Sequence, residues 1–260
     1  MVLLAVPVVA FCAAATSGSV SRLPELDSAM DRTLEALQHI TTGTITTMLL
    51  KKGIRRAWMS GAMPLGFSGK RVVGPAFTLR FVPVREDLAT PESWSKPIST
   101  RSAIEAMPDN CVVVADAMGV TGAGIFGDIL CMRMVKRGVT ALITDGVMRD
   151  RHGVLATGLP VWCAGVAAPA SVNQLTFVGW NEPIACGGCA IFPEDIVVAD
   201  DDGAVVIPKA LAEFVAQEGA EHELLESWLV EEVEKGAKLP GLYPPNEENK
   251  LRYEAWKKSR

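Results

Sequence analysis

The sequence has no basic stripe, no paired histidine motif and no long apolar run beyond its first fifteen residues. Its formal net charge is −5, whereas a nucleic-acid-binding surface needs a basic patch that neutralises phosphates. The apolar stretch 1–15 is too short for a membrane span and lacks the positive region of a signal peptide. We therefore expect neither a nucleic-acid partner nor a membrane partner.

Metal and redox motifs are also sparse. Among six cysteines, Cys186 and Cys189 form one closely spaced pair around two glycines. A structural zinc site needs a second such pair or two histidines, and the three histidines lie far apart in the chain. A Gly-Gly turn between two strands explains the pair better than a zinc or redox centre.

What the chain does contain is enough apolar residues for a large core, 49% of 260. Helical spacing alternates along the chain with short β-branched runs, and this alternation indicates an α/β fold. The predicted helices cover 26–38, 45–52, 102–107 and 209–235, with a break at Gly219 in the last. The predicted strands cover 71–84, 111–115, 140–144 and 160–167, followed by a hairpin of 196–199 with 204–207. The loop 85–100 either shapes substrate choice or only decorates the surface.

The stretch from Gly127 to Asp150 carries the clearest functional pattern. Gly138 ends its helix, as a residue that tolerates positive φ commonly does. A buried strand at 140–144 follows, and Arg149 precedes Asp150 just beyond its carboxyl end. The predicted buried side of the helix consists of Ile129, Leu130, Met132, Met134 and Val135.

This arrangement suggests an anion site beside a metal ligand. The N-terminus of a helix presents unpaired N–H groups, so those of Ile129 and Leu130 can hold a carboxylate. Arg149 can close over the same anion, and Asp150 offers a hard oxygen ligand for Mg²⁺ or Mn²⁺. The alternative is a helix cap at Asp128 and a surface ion pair between Arg149 and Asp150.

A dinucleotide site is a weaker interpretation of the same region. Gly122, Gly124 and Gly127 fit the bare G-x-G-x-x-G spacing before a helix. No acidic ribose-binding position follows on a second βα unit, so the pattern does not favour NAD.

The motif Asp128, twenty intervening residues, then Arg149-Asp150 resembles the signature of the RraA-like family. Further blocks resemble that family in the same order: Arg71–Thr78, Cys111–Asp116 and Asp195–Pro208. The resemblance covers roughly residues 35 to 230. It implies a layered β/β/α fold of the swivelling phosphohistidine-domain-like type, and a cytoplasmic homotrimer or dimer of trimers.

Two functions follow from the resemblance. One is a class II pyruvate aldolase, a lyase that cleaves a 4-hydroxy-2-oxo acid to pyruvate and a second carbonyl compound, with oxaloacetate decarboxylation as a side activity. Asp150 would then hold Mg²⁺ or Mn²⁺, Asp128 and Arg149 would be catalytic, and Gly127, Ile129 and Leu130 would bind substrate with Arg149. The other is a non-catalytic regulator of ribonuclease E.

The family aldolases tend to carry an acidic residue three places after the aspartate that corresponds to Asp150. This chain departs from them, because it has Gly153 at that position. The resemblance also implies that a late-helix glutamate reaches a neighbouring site, and Glu221 and Glu223 are both candidates. We divide the chain into an N-terminal extension (1–25), the RraA-like domain (26–238) and a C-terminal tail (239–260) that wraps a neighbouring subunit. The extension leaves export through a signal-like segment as an alternative to the cytoplasm.

Overall fold

A computed structural model describes residues 24–66, 69 and 71–259, so the predicted extension 1–25 lies almost entirely outside the described residues. Its helices are α1 (Pro24–Leu37), α2 (Thr42–Lys51), α3 (Thr100–Ala106), α4 (Asp128–Lys136), α5 (Arg151–Ala156), α6 (Ala212–Glu234) and α7 (Glu247–Lys258). Its strands are β1 (Met63–Pro64), β2 (Val72–Pro83), β3 (Val112–Asp116), β4 (Ala141–Thr144), β5 (Val161–Cys163), β6 (Leu175–Trp180), β7 (Ile184–Cys186), β8 (Cys189–Ile191), β9 (Ile196–Asp200) and β10 (Gly203–Ile207). The α/β class is confirmed.

The long strand β2 organises the main sheet, whose order is β1-β5-β4-β3-β2-β9-β10. Its first residues pair antiparallel with β9, and its later residues pair parallel with β3. Strand β6 pairs with the end of β2, where the register shifts between Arg80 and Phe81. Strands β2 to β5 are parallel, so their carboxyl ends meet along one edge of the sheet.

Three apolar clusters hold the layers together. Strand β3 is buried on both faces, with Val113 and Ala115 in the cluster under α3, α4 and α5. Its alternate residues Val112 and Val114 pack on the other face towards the β7–β8 hairpin. A parallel strand that is covered on both faces has a continuous apolar sequence, which is why the strand at 111–115 could be predicted. The third cluster joins α1, α2 and α6 to β9 and β10.

Helix α6 runs without interruption from Ala212 to Glu234, so the predicted break at Gly219 is wrong. A Cβ at Gly219 would lie 2.8 Å from Cδ1 of Ile40. The glycine therefore lets the α1–α2 connection pack closely against α6, and it does not end the helix.

The buried face of α4 differs from the predicted one. Cys131 and Met134 are buried, whereas Ile129 is 80% exposed and Met132 is 42% exposed. Ile129 and Met132 are three residues apart and share the outer side of the helix. The apolar pattern misled us because two of the five predicted residues face away from the sheet.

The segment predicted as a C-terminal tail contains helix α7, which packs on α6 of the same chain. Trp228, Leu229, Leu242 and Tyr253 form a separate buried cluster between them. Tyr253 Oη donates to Glu221 at 2.8 Å, so one carboxylate proposed to reach a neighbour is engaged within the chain. Within the described part of the chain, none of the helices combines the length and hydropathy needed to cross a bilayer.

Candidate active site

The two halves of the motif meet at the carboxyl ends of β3 and β4. Ile125 N–H donates to Val147 O at 2.9 Å, and Arg149 N–H donates to Phe126 O at 3.0 Å. These bonds join the loop after β3 to the segment after β4. Crevices outside the carboxyl ends of parallel strands are the usual ligand sites of open α/β sheets.

Two glycines of the loop make room for the Arg149–Asp150 pair. A Cβ at Gly124 would lie 2.8 Å from both N and Cβ of Arg149. A Cβ at Gly127 would lie 2.4 Å from Oδ2 of Asp150. In this structure two glycines of the G-x-G-x-x-G pattern thus allow the loop after β3 to lie close to the Arg149–Asp150 segment.

A cavity of about 310 Å³ opens at this junction. All six residues predicted for the site line it: Gly127, Asp128, Ile129, Leu130, Arg149 and Asp150. A neighbouring cavity of about 340 Å³ has a mainly apolar lining, with Lys96 as its charged residue. The smaller cavity is therefore the candidate active site, because it collects two carboxylates and two guanidinium groups.

Asp150 has an unusual backbone conformation. Its φ of 53° and ψ of 43° lie in the left-handed region, which aspartate tolerates better than most residues. It stands at the N-terminus of α5, but its side chain makes no capping hydrogen bond. Its Oδ2 instead accepts from Nε of Arg149 at 3.1 Å, with both side chains partly exposed. The strained backbone thus directs the carboxylate to the arginine and the cavity.

Asp128 lies at the start of α4, close to Gly153 of α5. Its Oδ1 accepts from the N–H of Ile129 at 2.7 Å. One of the two N–H groups predicted to hold a substrate carboxylate is therefore already engaged, which leaves Leu130 as the better placed of the pair. A Cβ at Gly153 would lie 2.6 Å from Oδ2 of Asp128, so this glycine provides the space in which Asp128 rests.

The site also contains residues that the sequence pattern missed. Trp94, Thr100, Arg101 and Ser171 line the same cavity. Trp94 comes from the β2–α3 loop (residues 84–99), which places this loop at the site. The guanidinium carbon of Arg101 lies 4.8 Å from the centroid of the Trp94 ring. In the sequence, the feature that could have indicated these residues was an aromatic residue, Trp94, in a loop whose role was left open.

Two buried aspartates end the parallel strands without lining the cavity. Asp116 accepts from the N–H groups of Met118 and Ala185, at 3.0 and 3.2 Å. Asp145 accepts from Ala117 N–H at 2.9 Å and Gly187 N–H at 3.1 Å, and burial raises the pKa of its carboxyl. These bonds fix the loops that follow β3 and β4.

The Cys186–Cys189 pair flanks a two-glycine turn in the β7–β8 hairpin, as predicted. Both side chains are buried, and burial raises the pKa of the Cys189 thiol to about 11. The Sγ of Cys189 donates to Trp58 O at 3.1 Å.

Glu223 is engaged within its own chain, like Glu221. It accepts from both N–H and Oγ of Thr41, each at 2.8 Å, at the start of α2. Burial raises the pKa of Glu223, but hydrogen bonds from Thr41 and Thr44 outweigh burial and leave the pKa lowered. Neither glutamate lines the cavity.

The carboxylates that line the cavity determine whether a divalent metal could bind there. Across residues 24–66, 69 and 71–259, no three His, Cys, Asp or Glu side chains are grouped to hold a metal. Mg²⁺ usually keeps several waters and takes only one or two carboxylates. Asp150 therefore suits Mg²⁺ or Mn²⁺ with an open, hydrated coordination shell, and the carboxylates of the described residues form no closed structural site.

The fold and cavity define an α/β protein with an acid–arginine site at the carboxyl edge of a mixed sheet. The chain belongs to the RraA-like family, whose Aldolase/RraA model matches residues 29–206. Helices α6 and α7 lie beyond that match. Nevertheless, α6 packs against α1 and α2 in the shared apolar cluster.

Several curated relatives match the sequence, and two of them show how much of each chain is shared. Protein DlpA of Legionella pneumophila is 26% identical over 210 residues, which are 81% of this chain and 33% of that protein. The "Putative 4-hydroxy-4-methyl-2-oxoglutarate aldolase" of Halalkalibacterium halodurans is 36% identical over 148 residues, 56% of this chain and 64% of that protein. The chain thus spans between a third and just under two thirds of these relatives' lengths.

Several solved structures share the fold. Streptomyces coelicolor RraAS2, described as an unusual member of the RNase ES inhibitor RraA protein family, is 34% identical with a TM-score of 0.68. The match covers 76% of this chain and 94% of RraAS2. An uncharacterised protein from Pseudomonas syringae has a TM-score of 0.73 at 24% identity, covering 83% and 94% of the two chains. The second likeness concerns the fold alone.

Proposed function

We propose that the protein is a divalent-metal-dependent lyase that cleaves a 4-hydroxy-2-oxo acid to pyruvate and a second carbonyl compound. The observation that carries the proposal is the convergence of Asp128, Arg149 and Asp150 on one cavity of about 310 Å³. Family membership and the aldolase name of the Halalkalibacterium relative support the same reaction class.

The reaction breaks the C3–C4 bond of the substrate. The 4-hydroxyl group loses its proton and becomes the carbonyl of the second product, while the bonding electrons move through C3 to the C2 carbonyl oxygen. Protonation of C3 then gives pyruvate. The site must therefore stabilise negative charge on oxygen, take up the proton of the 4-hydroxyl group and deliver one proton to C3.

Three side chains have distinct tasks in this proposal. Arg149 pairs with the charged oxygens of the 2-oxo acid through its planar fork. Leu130 N–H, at the start of α4, contributes a helix N-terminal donor to the substrate carboxylate. Asp128 positions a water that carries the proton between solvent and C3. A divalent cation held by Asp150 would supply positive charge at the oxygens of the 2-oxo group.

The same site suits decarboxylation of oxaloacetate, because loss of CO₂ from its C4 carboxylate leaves the same pyruvate enolate. We therefore propose this decarboxylation as a side activity. It needs no further catalytic group.

We also propose a cytoplasmic homotrimer or dimer of trimers. The exposed Ile129 and Met132 lie on α4 beside the cavity, where a neighbouring subunit would cover them. Light scattering at working concentration should give at least three times the monomer mass. A monomer with full activity contradicts a site that neighbouring subunits share.

The test of the function is pyruvate release from a panel of 4-hydroxy-2-oxo acids, coupled to lactate dehydrogenase and NADH. EDTA should abolish release, and Mg²⁺ or Mn²⁺ should restore it. Full activity in chelator would refute the metal role. Inactivity on the whole panel, together with inhibition of ribonuclease E, would favour the regulator that the RraAS2 likeness supports.

A further inference from the structure

The cavity of about 340 Å³ beside the candidate active site, called the apolar cavity below, has the character of a second ligand site. Among the described residues that line it, Lys96 alone is charged, and Lys96 is exposed. Small-molecule sites are typically concave, mostly apolar and of about 300–1,000 Å³, and the apolar cavity has this size and this lining. Its main walls are the aliphatic and aromatic side chains of Phe81, Leu88, Trp94, Ile98, Leu175 and Phe177.

The apolar cavity and the candidate active site share part of their lining. Trp94, Thr100 and Ser171 line both cavities. The Arg149–Asp150 pair lines the candidate active site and not the apolar cavity. A ligand whose 2-oxo acid end binds beside this pair can therefore extend past Trp94 into the apolar cavity.

The sheet supplies a firm wall of the apolar cavity. Phe81 of β2 and Phe177 of β6 are paired in the register, and their ring centroids lie 5.2 Å apart at an interplanar angle of 69°. The register shifts just before Phe81, so that Val178 falls between two paired residues of β6. Consecutive residues of a regular strand point to opposite faces, whereas Phe177 and Val178 both line the cavity. The bulge thus enlarges the apolar surface that the sheet presents to a ligand.

The β2–α3 loop supplies another wall of the apolar cavity. Leu88 and Ile98 line the cavity from this loop, although they are 39% and 56% exposed. Trp94 comes from the short 3₁₀ helix Pro91–Ser95 in the same loop. Exposed apolar side chains around a concave site are typical of ligand-binding surfaces, because a ligand that covers them removes their contact with water.

We infer that the apolar cavity binds the group that the substrate carries on C4, next to the bond that breaks. This inference rests on the proposed function and narrows its substrate class to 4-hydroxy-2-oxo acids with an aromatic or branched alkyl group on C4. One such acid is 4-hydroxy-2-oxo-4-phenylbutanoate, which cleaves to pyruvate and benzaldehyde without a further reactant. Leu88, Trp94 and Ile98 are then specificity-determining residues.

A carboxylate on C4 fits the apolar cavity poorly. Moving a carboxylate from water to apolar surroundings is costly unless a partner compensates its charge. The ammonium group of Lys96 is exposed, so water and salt screen its attraction for an anion. A phenyl group on C4 instead gains contact with Phe81, Phe177 and Trp94. The inference therefore predicts discrimination against dicarboxylate substrates.

Binding measured without turnover provides the first test. Three 2-oxo acids lack the 4-hydroxyl group needed for cleavage and differ only on C4, where 2-oxobutanoate has hydrogen, 2-oxo-4-phenylbutanoate a phenyl ring and 2-oxoglutarate a carboxylate. Calorimetry in Mg²⁺ should show that the phenyl compound binds roughly 10-fold tighter than 2-oxobutanoate, because part of the ring leaves water. Binding of 2-oxoglutarate as tight as that of the phenyl compound, or tighter, overturns the inference.

Substitutions in the loop wall show whether the phenyl ring occupies the apolar cavity. Leu88→Gln combined with Ile98→Gln should reduce the preference for the phenyl compound over 2-oxobutanoate by roughly 3-fold, because polar side chains replace one apolar wall. The matched control is Leu50→Gln, since Leu50 on α2 is 57% exposed and lines neither cavity. An unchanged preference in the double variant refutes the inference. A lower molecular mass of this variant in light scattering would show that a neighbouring subunit covers the cavity, and it would overturn the inference as well.

Turnover provides the second test, with 4-hydroxy-2-oxo-4-phenylbutanoate against 4-hydroxy-2-oxoglutarate and chromatographic detection of pyruvate. The phenyl substrate should have the higher kcat/KM, and the double variant should lower this value by roughly 3-fold while the dicarboxylate reacts nearly as before. Selective binding of 2-oxo-4-phenylbutanoate without pyruvate release from either substrate would reject the lyase and keep the apolar site. Pyruvate release with a preference for 4-hydroxy-2-oxoglutarate would keep the lyase and reject the apolar site.

Discussion

Replacing Gly127 by alanine should separate catalysis from stability. Gly127 has a φ of −119°, which alanine adopts without backbone strain. Its new Cβ would lie 2.4 Å from Oδ2 of Asp150, roughly 1 Å inside an ordinary carbon–oxygen contact. The Asp150 side chain is 46% exposed, so it can rotate away and leave the fold intact. The displaced group is the one proposed to hold the metal.

The expected loss in kcat/KM follows from this displacement of the Asp150 carboxylate. A misplacement of about 1 Å in a catalytic group costs roughly 100-fold in rate, so kcat/KM should fall by about that factor. Loss of glycine at the N-cap and of one exposed ion pair should together cost about 1 kcal/mol, or roughly 2–4 °C in Tm for a chain of this size.

The assay is pyruvate release on the best 4-hydroxy-2-oxo acid, beside differential scanning fluorimetry of the same samples. Gly43→Ala in α2 is the control, because its new Cβ meets nothing closer than 3.9 Å. The control should keep full activity. Near-normal kcat/KM in Gly127→Ala would refute the role given to Asp150.

Three more predictions test other parts of the structure. Arg149→Ala should cost about 2–4 kcal/mol in transition-state stabilisation, or roughly 30- to 1000-fold in kcat/KM, with little change in Tm because the side chain is partly exposed. Arg149→Lys should recover part of the rate, and normal turnover with a lowered Tm would instead make the residue structural. The hydrogen bond from Lys257 lowers the pKa of the Glu221 carboxyl below its ordinary value of 4.5. The ionised carboxylate therefore stabilises the folded protein above pH 4.5, and this stabilisation is lost as the pH falls through the lowered pKa. Tryptophan fluorescence should therefore report undocking of α7 in acid. Glu221→Gln should weaken this pH dependence and leave the part due to Glu232, which pairs with Arg252 of α7, and an unchanged pH profile would refute the role of Glu221. Gly219→Ala should lower Tm by a few degrees although alanine favours helices, because its Cβ meets Ile40 at 2.8 Å; a raised Tm would show that Ile40 yields easily.

The motif made much of the site predictable. Asp128 opens a helix and Arg149 follows a buried strand, and both features show in local spacing. Arg149 was expected to close over an anion at the start of that helix. The two halves of the motif do lie side by side, because the parallel strands β3 and β4 place their carboxyl ends together. Trp94 and Arg101 could not be assigned to the site from the sequence. Trp94 lies in a loop and Arg101 in the helix that starts at Thr100, and no sequence spacing links either residue to the motif at 127–150.

Other errors have a common physical cause. Residues 247–258 are strongly charged, so they show little apolar periodicity, yet Tyr253 and Trp256 dock them on α6. Gly219 looks like a helix breaker until its neighbour Ile40 is known. Ile129 is apolar but exposed. In each case a tertiary contact, or the absence of one, overrides a local preference.

The central strand β2 has a consequence for how the protein acquires its structure. Its residue Val72 pairs with Ala199, whereas Ala76 pairs with Val112 a few residues further along. The first pairing must close about half of the chain into a loop, and such long-range contacts slow folding. The sheet edge that carries the cavity depends on β2 through β3. We therefore expect the site to form late and all at once, and a nascent chain stopped before β9 to leave β2 half paired and prone to aggregation.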